Sequence, residues 1–467
     1  MTDTLMVGVS GVRGIVDKDL TPAVVTRWAR GFGHWARRVT PRVVLGRDSR
    51  RSGPTFMRAA REGLLAAGCD VIEVGMVPTP TIQLAVAYHR AGGGIAITAS
   101  HNPIEWNALK FIGPDAIFLD GQAGAAVQQL ALADEVPPGR AAAPRTVTTD
   151  QDAVARHLAA VVALPVVDAG RIRDRKFTVA LDTVRGAGGP VMTDLLERLG
   201  CRIVGINLDP DGAFPRSPEP VPEHLGELGD LVRRSGADLG LAVDPDVDRL
   251  ALVDEAGTPI GEDYTLAFAV RAVFGASRLP RFLAWLRGPV VCNLSTSLVV
   301  HDAARAVGAR VVRTPVGEVH VARTMVALRA RIGGEGNGGV MYAPLHAGRD
   351  APVAAALVLG LLARVGQRVG ALVAAAPRYA IVKAKVPRGL AGPGGGPALA
   401  SVYAALRHRF PDARVDTQDG LHLAWRDRWL HVRPSNTEPI IRLIAEAPTG
   451  ADAQHLVDEG RRLCAAS

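Results

Sequence analysis

The sequence predicts an α/β protein of several domains, and three observations carry that prediction. Short β-branched runs alternate with Ala/Leu/Arg stretches of helical period, the pattern of repeated βα units. A chain of 467 residues exceeds what one hydrophobic core serves, so two to four domains are expected. Three successive stretches share a similar size and rhythm, and the segment 377–467 is richer in strands.

In the first stretch, 42–46 is a predicted strand, 54–68 a helix closing on Gly68, 71–74 the next strand, and 94–98 a third strand entering a loop at Ala99. A Pro/Ala-rich, weakly patterned segment over 136–149 marks a boundary. The second stretch opens with a strand over 178–182, a Gly-rich turn (Gly186, Gly188, Gly189) and a helix over 190–199. It closes with strands over 237–243 and 250–254 that flank an acidic loop. The third runs from 259 to 375 with strands near 290–292 and 310–313, and Pro377 marks the next boundary. The final segment carries strands over 378–386, 421–426 and 429–432, a Gly-rich loop over 389–397 and a terminal helix. The expected domains are 1–149, 150–256, 257–376 and 377–467.

Composition limits the function classes. Apolar residues make up 48% and charged residues 21%, which excludes a disordered chain. The longest apolar stretch, 352–363, falls short of the ~20 residues that span a bilayer and predicts a buried helix instead. Residues 1–13 hold no basic segment followed by an apolar run. The four cysteines (Cys69, Cys201, Cys292, Cys464) are too scattered for a disulfide framework or a zinc site, so a reducing, cytoplasmic setting is expected. Net charge is +8, but the basic residues form no dense run and aromatics are only 4%, so platforms for stacking nucleobases are scarce. Small anionic substrates are the expected partners, with neither nucleic acid nor membrane. Only five of the 54 basic residues are lysine. One of them, Lys110, follows a candidate site.

Five short motifs look chemical. Thr98-Ala99-Ser100-His101-Asn102-Pro103 ends a buried strand, and Lys110 is close enough to fold back over it; a plain polar turn is the alternative. Asp244-Pro245-Asp246-Val247-Asp248-Arg249 places three carboxylates on one side of extended backbone, where they repel unless a hard cation such as Mg²⁺ lies between them. An EF-hand loop is rejected, because Arg249 stands where that loop needs Gly and the flanks read as strands; a solvated acidic turn is the alternative. Gly334-Glu335-Gly336-Asn337-Gly338-Gly339 lets a ligand approach backbone closely, with Glu335 and Asn337 able to bind hydroxyls or amines; a plain Gly-rich turn is the alternative. Arg433-Pro434-Ser435-Asn436-Thr437-Glu438-Pro439, with Arg442 after it, suits a phosphate; a capping turn is the alternative. Ser10-Gly11-Val12-Arg13-Gly14 is a tight turn that can present Arg13 to a cleft.

In this order, and over nearly the whole chain, the five motifs resemble the α-D-phosphohexomutase family. The resemblance implies four domains around a central cleft, three similar α/β domains and a smaller C-terminal α+β domain. It implies that Ser100 carries a phosphoryl group, and that Asp244, Asp246 and Asp248 bind Mg²⁺ with an oxygen on Ser100 as a further ligand. It also implies that Arg13, Lys110 and Arg249 surround the transferring phosphate, while His101 assists proton movement. Glu335, Asn337 and Gly338 would meet the sugar. Arg433, Ser435, Asn436, Thr437 and Arg442 would hold the phosphate that is not reacting. A hexose 1,6-bisphosphate activator is implied as well.

The loops look most like the phosphoglucosamine mutase branch, implying conversion of glucosamine 6-phosphate to glucosamine 1-phosphate. The phosphomannomutase/phosphoglucomutase branch has Gly-Glu-x-Ser-Gly-His in the sugar loop, where this chain has Asn337 in place of Ser and Gly339 in place of His. That branch is the alternative, and a sugar phosphatase is a further one.

Overall fold

A computed structural model describes residues 5–8, 11–133, 145–276, 288–387, 399–435 and 440–465. They form four sheets, and three of these repeat one arrangement. In the first, Arg42–Arg47 lies parallel to both Asp70–Met76 and Gly93–Ile97, and Gly93–Ile97 pairs antiparallel with Trp106–Ile112. In the second, Thr178–Asp182 lies between Arg202–Ile206 and Leu239–Val243, both parallel, and Leu239–Val243 turns back into antiparallel Leu250–Val253. In the third, Val290–Asn293 lies between parallel Val311–Thr314 and Ile332–Gly334, followed by antiparallel Val340–Tyr342. The reversal from third to fourth strand therefore falls at 98–105, 244–249 and 335–339. Three of the five sequence motifs sit on this one equivalent turn.

The first sheet is widened to seven strands by Met6–Gly8, Gly11–Ile15 and Val147–Thr149, and the third to five by His346–Arg349. The fourth is wholly antiparallel, in the order Ala380–Pro387, Ile440–Ala447, Trp429–Pro434, Leu421–Ala424, Arg414–Asp416.

The central strands Gly93–Ile97 and Leu239–Val243 are buried at every residue, as strands covered on both faces must be. The second and third domains share one continuous core from Leu158 to Leu372. Through it runs the helix Ala351–Val365, buried from Ala351 to Ala363, capped by Asp350 and ended by Gly366 at φ +69°. The expected buried helix is there, and among the described residues no helix is long and apolar enough to cross a membrane. The fourth domain packs around a core of its own, including Leu421, Leu430, Leu443 and Val457. All four cysteines are unpaired.

Some elements differ from expectation. Gly188 and Gly189 begin the helix Gly188–Arg198 rather than forming a turn. Their bareness serves packing, since a Cβ on Gly189 would lie 1.8 Å from the Leu208 carbonyl oxygen. Strand Ile440–Ala447 was not expected, because its Ile/Leu/Ala/Glu composition suits a helix equally well by period. The predicted loop over 389–397 lies outside the described residues.

Candidate active site

Ser100 follows the buried strand Gly93–Ile97 at φ +50°, a left-handed conformation that a non-glycine residue keeps only when its surroundings enforce it. The enforcing group is Arg50, fully buried. Its Nη2 donates to the carbonyls of Ser100 and Asn102 (2.7 and 2.6 Å), and its Nη1 to those of Pro103 and Trp106 (2.7 and 2.9 Å). Asp48 holds Arg50 Nε at 3.1 Å and accepts from Thr98 Oγ1 at 2.7 Å, while Thr98 Oγ1 accepts from the Ser100 amide at 2.9 Å. The Ser100 hydroxyl reaches across to the second domain and donates to Asp244 Oδ2 at 2.9 Å.

Asp244, Asp246 and Asp248 are buried, with one oxygen from each lying within 4.8 Å of the others. Extended backbone is not what gathers them. Residues 244–249 form a turn with Val247 at φ +61°, in which Asp244 Oδ1 accepts from the amides of Asp248 and Arg249 (3.1 and 3.2 Å). Burial of the Val247 side chain in the shared core holds that strained residue in place.

The crowded carboxylates separate in character. Burial, with the charges of Asp248 and Asp246, pushes Asp244 well above the ordinary carboxylate range. Burial alone would raise Asp246 too, but Lys110 Nζ (2.7 Å) and Thr79 Oγ1 (2.8 Å) on its Oδ2 bring it below that range. Asp246 Oδ1 and Asp248 Oδ1 are buried with no hydrogen-bond donor among the described residues. An all-oxygen, anionic donor set with two unfilled acceptors fits a hard divalent cation such as Mg²⁺.

Cations surround this turn. Arg13 Nη1 donates to Asn102 Oδ1 at 2.7 Å. Arg249 Nε lies 3.7 Å from Asp248 Oδ1, and Arg249 Nη1 lies 3.4 Å from Glu219 Oε1. His101 sits among them, its Nδ1 3.5 Å from Ser100 Oγ and its Nε2 3.9 Å from Glu219 Oε1. The charge of Arg249, then burial, then the charges of Arg13, Arg349 and Lys110 drive His101 well below the usual imidazole range, so it is neutral at pH 7.

In the Gly-rich turn, Glu335 Oε1 accepts from Asn293 Nδ2 (2.8 Å) and the Gly317 amide (3.2 Å), and Oε2 pairs with Arg349 at 3.1 Å. Asn337 Oδ1 accepts from the Gly339 amide at 3.1 Å. Gly338, at φ +84°, lies against the second domain, where its carbonyl accepts from the Leu250 amide at 3.0 Å. The Gly-rich turn is thus bonded to the strand that leaves the acidic turn.

On the fourth sheet, Arg433 and Arg442 stand directly opposite each other, with Lys385 opposite Arg442 on the other side. A row of like charges across a sheet is costly without an anion beside it. The Ser435 amide donates to the Ile440 carbonyl at 2.8 Å, bringing Ser435 beside that row. Asp419 pairs with Arg433 Nε at 2.9 Å and accepts from the Val316 amide at 3.0 Å. Since Gly317 is bonded to Glu335, two successive amides link the Arg433 end to the Gly-rich turn. Asn436 and Thr437 lie outside the described residues.

Sequence reasoning missed Arg50, Thr79, Glu219, Glu318 and Arg349. Arg50 had a faint signal in Gly46-Arg47-Asp48-Ser49-Arg50 at a strand end; the others had none, because their partners are distant in the chain.

Four family descriptions match in order: phosphoglucomutase/phosphomannomutase alpha/beta/alpha domain I over residues 4–136, domain II over 155–257, domain III over 262–379 and the C-terminal domain over 382–463. The chain is 36% identical over 460 residues to a phosphoglucomutase/phosphomannomutase of Thermococcus kodakarensis, covering 98% of this chain and 97% of that one. It is 35% identical over 455 residues to a "Probable phosphoglucosamine mutase" of Methanopyrus kandleri, covering 97% and 96%. The crystal structure of a phosphoglucomutase/phosphomannomutase family protein from Burkholderia thailandensis superposes with a TM-score of 0.80 at 26% identity, covering 99% of this chain and 97% of that one. With four domains matched in order and full-length relatives above 30% identity, this chain belongs to the phosphoglucomutase/phosphomannomutase family of α-D-phosphohexomutases, enzymes that are intramolecular phosphotransferases.

Proposed function

We propose that this phosphohexomutase moves a phosphoryl group between O6 and O1 of a hexose phosphate through a phosphoserine on Ser100 and a hexose 1,6-bisphosphate. The observation that carries the reading is the buried Ser100 hydroxyl, held 2.9 Å from Asp244 inside a ring of cations. Phosphoryl transfer asks for positioning and charge neutralisation more than covalent chemistry. Arg13, Lys110 and Arg249 supply fixed positive charge. Asp244, Asp246 and Asp248 would hold Mg²⁺, with an oxygen of phosphorylated Ser100 as a further ligand; when bound, the ion neutralises charge on the transferring group.

Neutral His101 accepts the sugar hydroxyl proton once the phosphate dianion offsets the cations around the imidazole. Glu335 and Asn337 hold ring hydroxyls, and Gly338 leaves them room. Arg433, Ser435, Asn436, Thr437 and Arg442 grip the spectator phosphate. The bisphosphate then turns end over end, and free hexose 1,6-bisphosphate activates the enzyme by phosphorylating Ser100. A grip carried on a sheet with its own core suits that cycle.

Glucosamine 6-phosphate, converted to glucosamine 1-phosphate, is the substrate we infer. Glu318 and Glu335 together face one guanidinium, Arg349. With Asp248 given to the metal, that corner stays net negative and tolerates a 2-ammonium group. The name of the Methanopyrus kandleri relative agrees with this substrate. Glucose and mannose phosphates are the second reading, favoured by the Thermococcus kodakarensis relative. Discrimination by such a site is modest, about 10–200-fold. A sugar phosphatase is less well supported, since hydrolysis needs no second phosphate grip.

³¹P NMR of the purified protein with Mg²⁺, a hexose 1,6-bisphosphate and each sugar 6-phosphate tests the reading. The expected product is isomerised phosphate ester, formed fastest from glucosamine 6-phosphate. Inorganic phosphate in its place would overturn the mutase, and a tenfold preference for a neutral sugar, a factor of about 1.4 kcal/mol, would overturn the amino sugar.

A further inference from the structure

Gly339 replaces the histidine of the phosphomannomutase/phosphoglucomutase pattern, and its own backbone does not explain the change: it is absent from the glycines at positive φ. Its surroundings do. A Cβ built on Gly339 would lie 2.2 Å from Arg349 Cδ and 2.9 Å from Arg349 Cγ. The position is bare because an arginine stem runs through the space a side chain would fill.

Arg349 ends the strand His346–Arg349, and its three guanidinium nitrogens go to three carboxylates from three parts of the chain. Nη2 meets Asp248 Oδ2 of the metal loop at 2.6 Å, Nη1 meets Glu335 Oε2 of the sugar loop at 3.1 Å, and Nε meets Glu318 Oε2 at 2.9 Å. Its base is equally fixed. The next residue, Asp350, binds His157 Nε2 (2.8 Å) and His346 Nε2 (2.9 Å) and accepts from the Val353 amide (2.9 Å), with all three side chains buried.

We propose that Arg349 is a positioning residue that sets both the spacing and the charge of the sugar site, joining the metal loop to the sugar loop through the gap left by Gly339. This rests on the phosphohexomutase reading above. Only a planar fork can span three carboxylates; a lysine ammonium keeps the charge and loses the geometry. The charge also acts on selectivity. By neutralising Glu335, Arg349 makes the ring site less negative than its carboxylates alone would, so its loss favours a cationic ring substituent over a neutral one.

The test compares kcat/KM for glucosamine 6-phosphate and glucose 6-phosphate in the full-length protein and in R349A, R349K, G339A and G339A/R349A, each checked by a melting curve. R349A is expected to lower both values at least about tenfold while the amino-to-neutral ratio rises about five- to tenfold. R349K should lower both without moving the ratio. G339A, by pushing the stem aside, should reproduce the loss with Arg349 still present, and should cost little more once Arg349 is alanine. If R349A does not fold, R349K and G339A carry the comparison. Calorimetric titration with Mg²⁺ alone separates this inference from the mutase reading. Because Arg349 competes with the ion for Asp248, R349A should bind Mg²⁺ at least about threefold tighter, whether or not any sugar turns over. Unchanged or weaker Mg²⁺ binding, or an unmoved sugar ratio with additive losses, would overturn the inference.

Discussion

The two ends of the cleft are built on different terms. At the reacting end the ties cross from the first domain to the second and are short and buried. Ser100 donates to Asp244 (2.9 Å), Lys110 to Asp246 (2.7 Å), the Thr79 hydroxyl and amide to the side chain and carbonyl of Asp246 (2.8 and 2.9 Å). Ser49 adds a bond to the Arg185 carbonyl at 2.9 Å. The distal end stands on a sheet with its own core and is tied to the third domain instead, where Ser297 bonds Glu446 and the Val316 amide donates to Asp419 at 3.0 Å. Ser295 contacts His431 at 2.8 Å, and the Leu298 amide donates to Glu446 at 2.8 Å. In the proposed mechanism, preorganised charge is concentrated where charge moves, while the proposed spectator-phosphate grip stands on a sheet with a core of its own.

The largest effect should fall on Ser100, the proposed carrier. Ser100→Ala removes the hydroxyl and should cost about a thousandfold or more in kcat, with no phosphate detectable on the protein by intact mass. A fully active alanine variant would erase the contrast between the ends.

Next come two neighbours that should respond in opposite senses. Asp244→Asn keeps the Oδ1 that serves two amides and loses a charge that is unfavourable when buried, so the metal-free protein should melt higher. Asp246→Asn loses the ion pair with Lys110 and should melt lower. Asp246 has a folded pKa below its unfolded one. Its stabilisation is therefore present above the ordinary carboxylate range and lost as pH falls through the folded value, so the wild-type advantage over Asp246→Asn should fade in acid. Both variants should lose about 100-fold or more in turnover. Calorimetry showing the same sign of shift for both would break the picture of a divided triplet.

Arg433→Ala tests the distal end. It should raise KM for sugar phosphates about 10–100-fold, while phosphate occupancy of Ser100 and Mg²⁺ affinity stay as in the wild type. If Ser100 phosphorylation or metal binding fell as well, the ends would not be separable.

The smallest effect concerns Asp263, whose Oδ1 takes the Ser297 amide at 2.8 Å beneath Gly336 of the Gly-rich turn. Burial, reinforced by Glu446 and Glu262, raises Asp263 to about 8. A raised folded pKa gives stability that is complete below the ordinary carboxylate range and lost as pH rises through about 8. Asp263→Asn should flatten the melting temperature between about pH 4 and pH 8 and raise it by about 2 °C above that window. An unchanged pH profile would remove this group from the account.

The same contrast explains what could be read from the sequence. Ser100, the three aspartates and the Gly-rich turn were legible because each motif occupies one strand-to-strand reversal, where local residue chemistry and local geometry coincide. The route by which the aspartates meet was misread, since a left-handed Val247 has no signature in a sequence. Arg349 was invisible for another reason, and Arg50 nearly so. In a chain that writes arginine by default, only the faint Gly46–Arg50 stretch at a strand end marks the guanidinium that binds four carbonyls, and nothing local distinguishes the one that binds three carboxylates from those at the surface. The strand Ile440–Ala447 that presents Arg442 was lost to an ambiguous hydrophobic period.

Single-turnover transfer tests the central claim, that Ser100 gives its phosphoryl group to the sugar phosphate and takes one back. The protein is charged with a hexose 1,6-bisphosphate, freed of excess and mixed with hexose 6-phosphate and Mg²⁺, while intact mass and products are followed together. One phosphate on Ser100, discharged as an equal amount of hexose 1,6-bisphosphate appears, is the predicted result. A phosphate that stays on the protein, sits on another residue or leaves as inorganic phosphate would contradict it.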